Sequence, residues 1–379
     1  MPYFTYQPTD ESYIWAAYND IYYDVQAVSA NIAYIEGFFS FYTPTGLKNI
    51  KLIPTKSLSP GAFRFIINEV AQDMFADTEY GFMPLGNNAV IANNACEIFV
   101  NATFSEYIYA PDGSIEAANI LLDAGTISVI NMAVQHKEWS QFKLSEIINK
   151  RFLTDKPNYS PICETDTEFL SLLRTPQSGV GIAIEARDSS GNGLGVFAYT
   201  LPGFTVFSTL RFSPQNMALP DGTTSLAVIV AGYEEQVYVL KKCCQSKFRA
   251  YFQNSYCGID GVSFQKMEKK ASSRSSRWQK RKPVPTNNTL AIGRARFNVE
   301  QDIQYGLTLE SNNKAYLEWV REVLASIHAA RECENSNGDI VLIAAIVDDQ
   351  SITIDSSNKD FKRLRLNISD ANQYNTRRN

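Results

Sequence analysis

Twenty-two Phe and 20 Tyr among 379 residues, many gathered in short runs with β-branched neighbours, constrain this chain more than any other feature. Such residues fit a pleated, half-buried surface better than a helix. The runs Glu36–Tyr42, Glu97–Tyr109, Thr126–Val134, Val180–Ala186, Leu194–Thr200 and Phe204–Phe212 read as strands. Turn chemistry separates them: Asp112-Gly113, Asp221-Gly222 and Asn337-Gly338 are turn dipeptides, and Ser189-Ser190-Gly191-Asn192-Gly193 reads as a hairpin tip. Ser225–Gly232 and Gln236–Lys242 form a second predicted hairpin around Tyr233–Glu235.

Helical signals are few. Leu317, Val320, Leu324 and Ile327 recur at helical spacing and predict a helix over Asn313–His328 with an Asn cap. Thr165-Asp166-Thr167-Glu168 has the spacing of a capping box and predicts a short helix through Leu170 and Leu173. Ile67–Phe75 and Leu144–Phe152 share a pattern of aliphatic residue, small polar cap, Glu and later Phe. That pattern predicts two related modules, each with one or two helical turns; chance similarity is the alternative.

In the last third, Ile303, Tyr305, Leu307 and Leu309 alternate, as do Leu364, Leu366 and Ile368 against Arg365 and Asn367. The fold class is therefore mainly β: two serial β-sandwich-like modules plus a C-terminal α+β module, a β-sandwich flanked by one helix. The expected divisions are an N-terminal arm (1–24), modules 25–123 and 124–240, and the C-terminal module 241–379 with a basic loop at 266–282.

Catalytic chemistry has little to work with. His136 and His328 are the only histidines, and neither lies near a nucleophile-elbow motif. Glu234-Glu235 and Asp348-Asp349 fall at predicted turns, where acids are common for solvation reasons. Gly191-Asn192-Gly193-Leu194-Gly195 runs into a strand, whereas a phosphate loop opens a helix. The six Cys hold no C-x-x-C pair and read mostly as buried small hydrophobes in a reducing compartment. The chain is thus expected to be non-enzymatic, without metal or cofactor.

Two features point to partners. Tyr3, Tyr6 and Trp15 belong to an aromatic N-terminal segment that is expected to dock on another subunit. Lys266, Lys269, Lys270, Arg274, Arg277, Lys280, Arg281 and Lys282 face one acid, Glu268, with Trp278 among them. This run reads either as an electrostatic arm for an acidic neighbour or nucleic acid, or as a solvated hairpin loop. The whole chain carries −5, so nucleic acid enters only through that run. Residues 1–20 have no basic start and no apolar run, and Ile340–Val347 is too short to span a bilayer. Synthesis in a cytoplasm and no membrane partner are expected.

Lys247–Phe264 reads as a strand, a tight turn at Gly258 and a returning strand. This segment resembles one found in structural proteins of tailed phages and prophages of Bacteroidota, crAss-like phages included: an aromatic strand, then Asn254, Gly258, the acidic Asp260 and the aromatic return to Phe264. Asn68-Glu69, Ser145-Glu146, the helix Tyr316–Ser326 and the ending Leu364–Ala371 fit the same resemblance. Cys257 departs from it, standing where a second Gly is expected. The resemblance implies a virion component of tail, baseplate or neck that assembles as a homo-oligomeric ring or collar against neighbouring virion proteins. It brings no catalytic residues. A carbohydrate-binding or adhesive β-protein is the alternative.

Overall fold

In a computed structural model the chain is described at residues 3–8, 14–54, 56–59, 61–76, 85–92, 96–132, 147–174, 181–201, 207–241, 248–279, 294–326, 328–337, 339–349, 354–355 and 362–371. Alternation of aromatic and polar residues sets the first unit. It contains β1 (Tyr3–Tyr6), β2 (Ile14–Ala16), β3 (Tyr22–Gln26), β4 (Ile32–Thr43), β5 (Gly46–Leu52), β6 (Lys56–Ser59), β7 (Ala62–Ile66), α1 (Asn68–Ala76), β8 (Ala89–Ala92), β9 (Glu97–Tyr109) and β10 (Ile115–Ile130). A sheet ordered β1-β3-β7-β6 packs on one ordered β2-β10-β9-β4-β5. Tyr23, Val25 and Phe65 of the first meet Phe39, Phe41, Val100 and Phe104 of the second, and α1 closes the core with Ala71, Met74 and Phe75. Within it Phe104 has rings within 5.0–5.6 Å from Phe4, Tyr23, Phe39 and Phe65.

The second unit comprises β11 (Ser160–Cys163), β12 (Glu168–Leu173), β13 (Gly181–Arg187), β14 (Gly193–Thr200), β15 (Phe207–Phe212), β16 (Ser225–Val230) and β17 (Gln236–Lys241). Its sheets run β11-β17-β16-β13-β14 and β12-β15-β8, so β8 crosses over from the first unit's stretch of chain. Leu170, Leu172, Leu210 and Phe212 pack there against Ile182, Ile184, Leu226, Val228 and Tyr238.

The third unit has β18 (Phe248–Gln253), β19 (Ile259–Phe264), β20 (Lys266–Gln279), β21 (Arg294–Ser311), α2 (Lys314–Val320), β22 (Ala329–Glu334), β23 (Ile340–Val347), β24 (Ile354–Asp355) and β25 (Lys362–Asp370). One eight-stranded sheet, β19-β18-β22-β23-β25-β21-β20 with β24 beside β25, is covered by Tyr316, Leu317, Trp319 and Val320 of α2. The mainly β class with a helix-flanked C-terminal sheet is therefore what the chain adopts. A smaller cluster, including Ile14, Cys96, Leu153, Phe207 and Cys257, draws on all three units.

Several local expectations differ from this structure, each for a physical reason. The described residues of 1–24 are not set apart as an arm. β1 pairs with β3, β2 runs parallel to β10, and Tyr23 is fully buried. The aromatics of this segment have core faces to fill. The division at 123/124 falls inside β10. The capping-box segment enters strand β12: Asp166 Oδ2 accepts from Cys163 N at 2.8 Å, and Glu168 is buried in ion pairs. Of the second copy of the Ile67–Phe75 pattern, Leu144, Ser145 and Glu146 lie outside the described residues; 147–150 form a turn, and Phe152 bridges Leu172. In the first copy Asn68 opens the helix but its Oδ1 has no hydrogen-bond partner, so its side chain does not cap. Asn313 does cap α2, accepting from Tyr316 N at 3.2 Å, but the helix tightens to a 3₁₀ turn over Arg321–Ala325. Lys266–Gln279, expected as a loop, is a strand.

Candidate functional site

The first unit's five-stranded sheet has two dissimilar faces. The face opposite its core carries Tyr34, Phe38 and Tyr42 from β4, Phe99 and Tyr107 from β9, and Leu47 from β5. Phe38 (36%), Phe99 (45%), Tyr42 (50%) and Leu47 (54%) are exposed. Register explains the grouping, because Tyr42 lies between Phe99 on one neighbour and Leu47 on the other. Farther along, Tyr34 stacks on Tyr107 with centroids 4.5 Å apart and planes at 14°. Polar groups fill the interval: Ser40 Oγ donates to Asn49 Oδ1 at 2.8 Å, and Lys51 Nζ to Glu36 Oε1 at 3.0 Å. From Tyr34 to Tyr42 the strip runs roughly 27 Å at a strand's rise. It ends on β5, which among the described residues closes the sheet order and leaves an edge.

The residues singled out as partner-binding are distributed differently. Tyr6 stacks on Tyr22 at 4.5 Å, and Trp15 packs against the first core, so both serve the fold. Tyr3, 53% exposed, keeps a surface position on β1. Lys269 lies on the sheet's edge strand β20 with Nζ 5.9 Å from the Tyr305 ring centre, and Lys266 Nζ is 3.5 Å from Glu310 Oε1. Arg274, Arg277 and Trp278 take register positions on that same strand. Lys280, Arg281 and Lys282, with His136, Cys243 and Cys244, lie outside the described residues.

A charged seam between the second and third units escaped the sequence reading. Lys156 Nζ donates to Glu168 Oε1 at 2.7 Å and to the Gly261 carbonyl at 3.0 Å. Arg249 pairs with Glu168 and with Asp166 Oδ2, and donates to the Thr167 carbonyl at 2.8 Å. Asp260 accepts from Thr154 Oγ1, Asn254 Nδ2 and Trp319 Nε1. Burial is the largest influence on Asp260 and pushes it up to about 6, against the pull of the Lys156 charge and the Asn254 hydrogen bond. Glu322 is pushed to about 8 by burial and by the Asp260 and Asp155 charges, and its Oε2 has no hydrogen-bond partner.

The signal was present but ambiguous, since Asp166 and Glu168 sit at the spacing of a helix cap. Lys156 and Glu168 side chains are 1% exposed, and Arg249 and Asp166 2%. These charges are committed to one another, and the arrangement cross-braces two units rather than presenting groups to a substrate.

The remaining reactive candidates are also tied down. Glu235 binds Arg187, Asp349 accepts from Asn367 N, and Asp348 accepts from Ser369 Oγ. Burial lowers the pKa of His328. Among the described residues no three His, Cys, Asp or Glu converge as metal ligands. No helix among them is long and apolar enough to cross a membrane. Cys163 is disulfide-bonded, departing from the expectation of reduced cysteines, while Cys96, Cys257 and Cys333 keep their thiols. Against models of known protein families and against curated proteins, the chain finds no match.

Proposed function

We propose that this chain is a non-enzymatic assembly subunit, a ring or collar component of a virion, that joins copies of itself through the aromatic outer face of the β2-β10-β9-β4-β5 sheet. The observation that carries the reading is the continuity of that face with an open edge. Phe99, Tyr42 and Leu47 form a row across three strands and end on β5, the sheet's last strand. Exposed apolar surface of this kind marks an interface, and an unpaired strand edge is a template for another chain. The virion placement rests on the resemblance of Lys247–Phe264 to phage structural proteins.

Native mass measurement tests the assembly. The wild-type chain is expected to form a closed oligomer, and Tyr42→Glu with Phe99→Glu to weaken association at least about tenfold, or 1.4 kcal/mol. A wild-type monomer at every concentration ends the proposal. A sugar-binding reading draws on the stacked Tyr34–Tyr107 pair beside hydrogen-bonding Ser40 and Asn49. Glycan-array binding that is lost in the same double variant would favour it.

A further inference from the structure

Among the described residues, the second half of β20 and the first half of β21 extend beyond the rest of the C-terminal sheet. Residues 304–311 of β21 pair with β25, whereas 294–302 pair with β20 alone among the described residues. The result is a two-stranded ribbon roughly 26 Å long at a strand's rise. A two-stranded ribbon is marginal in water by itself. Near its base Arg274 stands opposite Glu300, a favourable pairing, but farther out Arg277 stands opposite Arg296, and Arg294 opposite Gln279. Period-2 alternation places positions 277, 279, 294 and 296 on one face. Like charges directly opposite weaken a ladder. A local rule broken in this way marks a position kept for function. The stretch 266–302 holds ten Lys and Arg against Glu268, Glu300 and Asp302, a net charge of +7, which leaves −12 on the rest of a chain whose total is −5.

We infer that the distal ribbon is an arm that docks on the acidic body of a second copy, whose carboxylates neutralise its arginine face. This rests on the assembly reading above and adds a second, electrostatic contact to it. The observations favour a second copy over nucleic acid because the −12 on the rest of the chain repels a polyanion brought up by the ribbon.

The test compares the full-length wild-type chain with an Arg277→Glu, Arg294→Glu, Arg296→Glu variant, and with the milder Arg277→Gln, Arg296→Gln pair should the first fail to fold. Circular dichroism checks the fold. Expected are at least about tenfold weaker self-association in the reversed variant, a similar loss for wild type in high salt, and carbodiimide cross-links from the lysines of the 266–282 stretch to acids of a differently isotope-labelled copy. A wild-type oligomer whose dissociation constant is unchanged in both variants and in high salt overturns this inference while leaving the assembly reading intact. A wild-type monomer overturns both. Binding of a labelled DNA duplex by wild type and not by the reversed variant assigns the arm to nucleic acid and also overturns it.

Discussion

The core of the first unit and the seam between the second and third are equally dry and are held by opposite means. In the first unit Phe39, Phe65 and Phe104 are fully buried and meet ring to ring at 5.0–6.4 Å. In the seam two cations and three carboxylates share a space just as closed. A ring that is trimmed loses contacts in proportion to its volume. A seam that loses one charge strands the others, because each ion's desolvation is offset only by its partners. The packed core is therefore graded in its response, and the seam is all-or-none.

The largest effect expected from that contrast is at Arg249. Arg249→Met takes an ion-pair partner from both Asp166 and Glu168, and is expected to cost about 3–5 kcal/mol in urea unfolding. The matched control is Ile35→Val in the first core, expected to cost about 0.5–1.5 kcal/mol. Equal losses at the two sites would break the comparison, since the seam would then behave as ordinary packing.

The next effect is pH-dependent. Glu322 titrates at about 8 in the folded chain and at the ordinary carboxylate value near 4.5 when unfolded. Between those values the folded state binds the extra proton, so stability falls as pH rises through the window and levels off above 8. Asp260, at about 6 against 3.8, adds a fall of the same sign in the lower part of the window. Glu322 is only partly shielded from water, which brings the expected loss between pH 5 and 8 down to about 2 kcal/mol. Glu322→Gln should flatten most of that fall in thermal unfolding followed across pH. A curve that still falls by the same amount in the variant would place the proton elsewhere in the seam.

The contrast also explains what could be read from the residues alone. β9 runs over Glu97–Tyr109 as expected, because Ile98, Val100, Ala102 and Phe104 alternate with Asn101, Thr103 and Ser105, the period of a sheet with one buried face. The hairpin at Gly191 and the turn at Gly222 follow from local turn chemistry, and both glycines adopt positive φ. The aromatic outer face was not separated from the core, since Phe38 and Phe39 look alike until the register is known. The N-terminal aromatics were read as an arm because nothing local shows that β3 pairs with β7, some 40 residues on. The seam was illegible for the reason that makes it cooperative: Lys156, Glu168 and Arg249 come together only when two units meet, and each alone looks like a solvated charge.

The smallest effect concerns the turn at Cys257, where a second Gly is expected. Cys257 has φ +62, in the left-handed region that a second glycine would occupy freely. An L side chain there costs about 1–2 kcal/mol. The residue is kept in place by burial: its Sγ lies 2.7 Å from Cys96 Sγ and 3.0 Å from Gln253 Nε2, tying the first unit to the third. Cys257→Ala removes those contacts and keeps the unfavourable backbone, whereas Cys257→Gly removes both. The glycine variant should therefore be more stable than the alanine variant by about 1 kcal/mol, reversing the usual order of the two residues. Thermal unfolding of both reads this directly. An alanine variant at least as stable as the glycine one would show that the turn carries no backbone strain, and that the sulfur contacts alone distinguish this position.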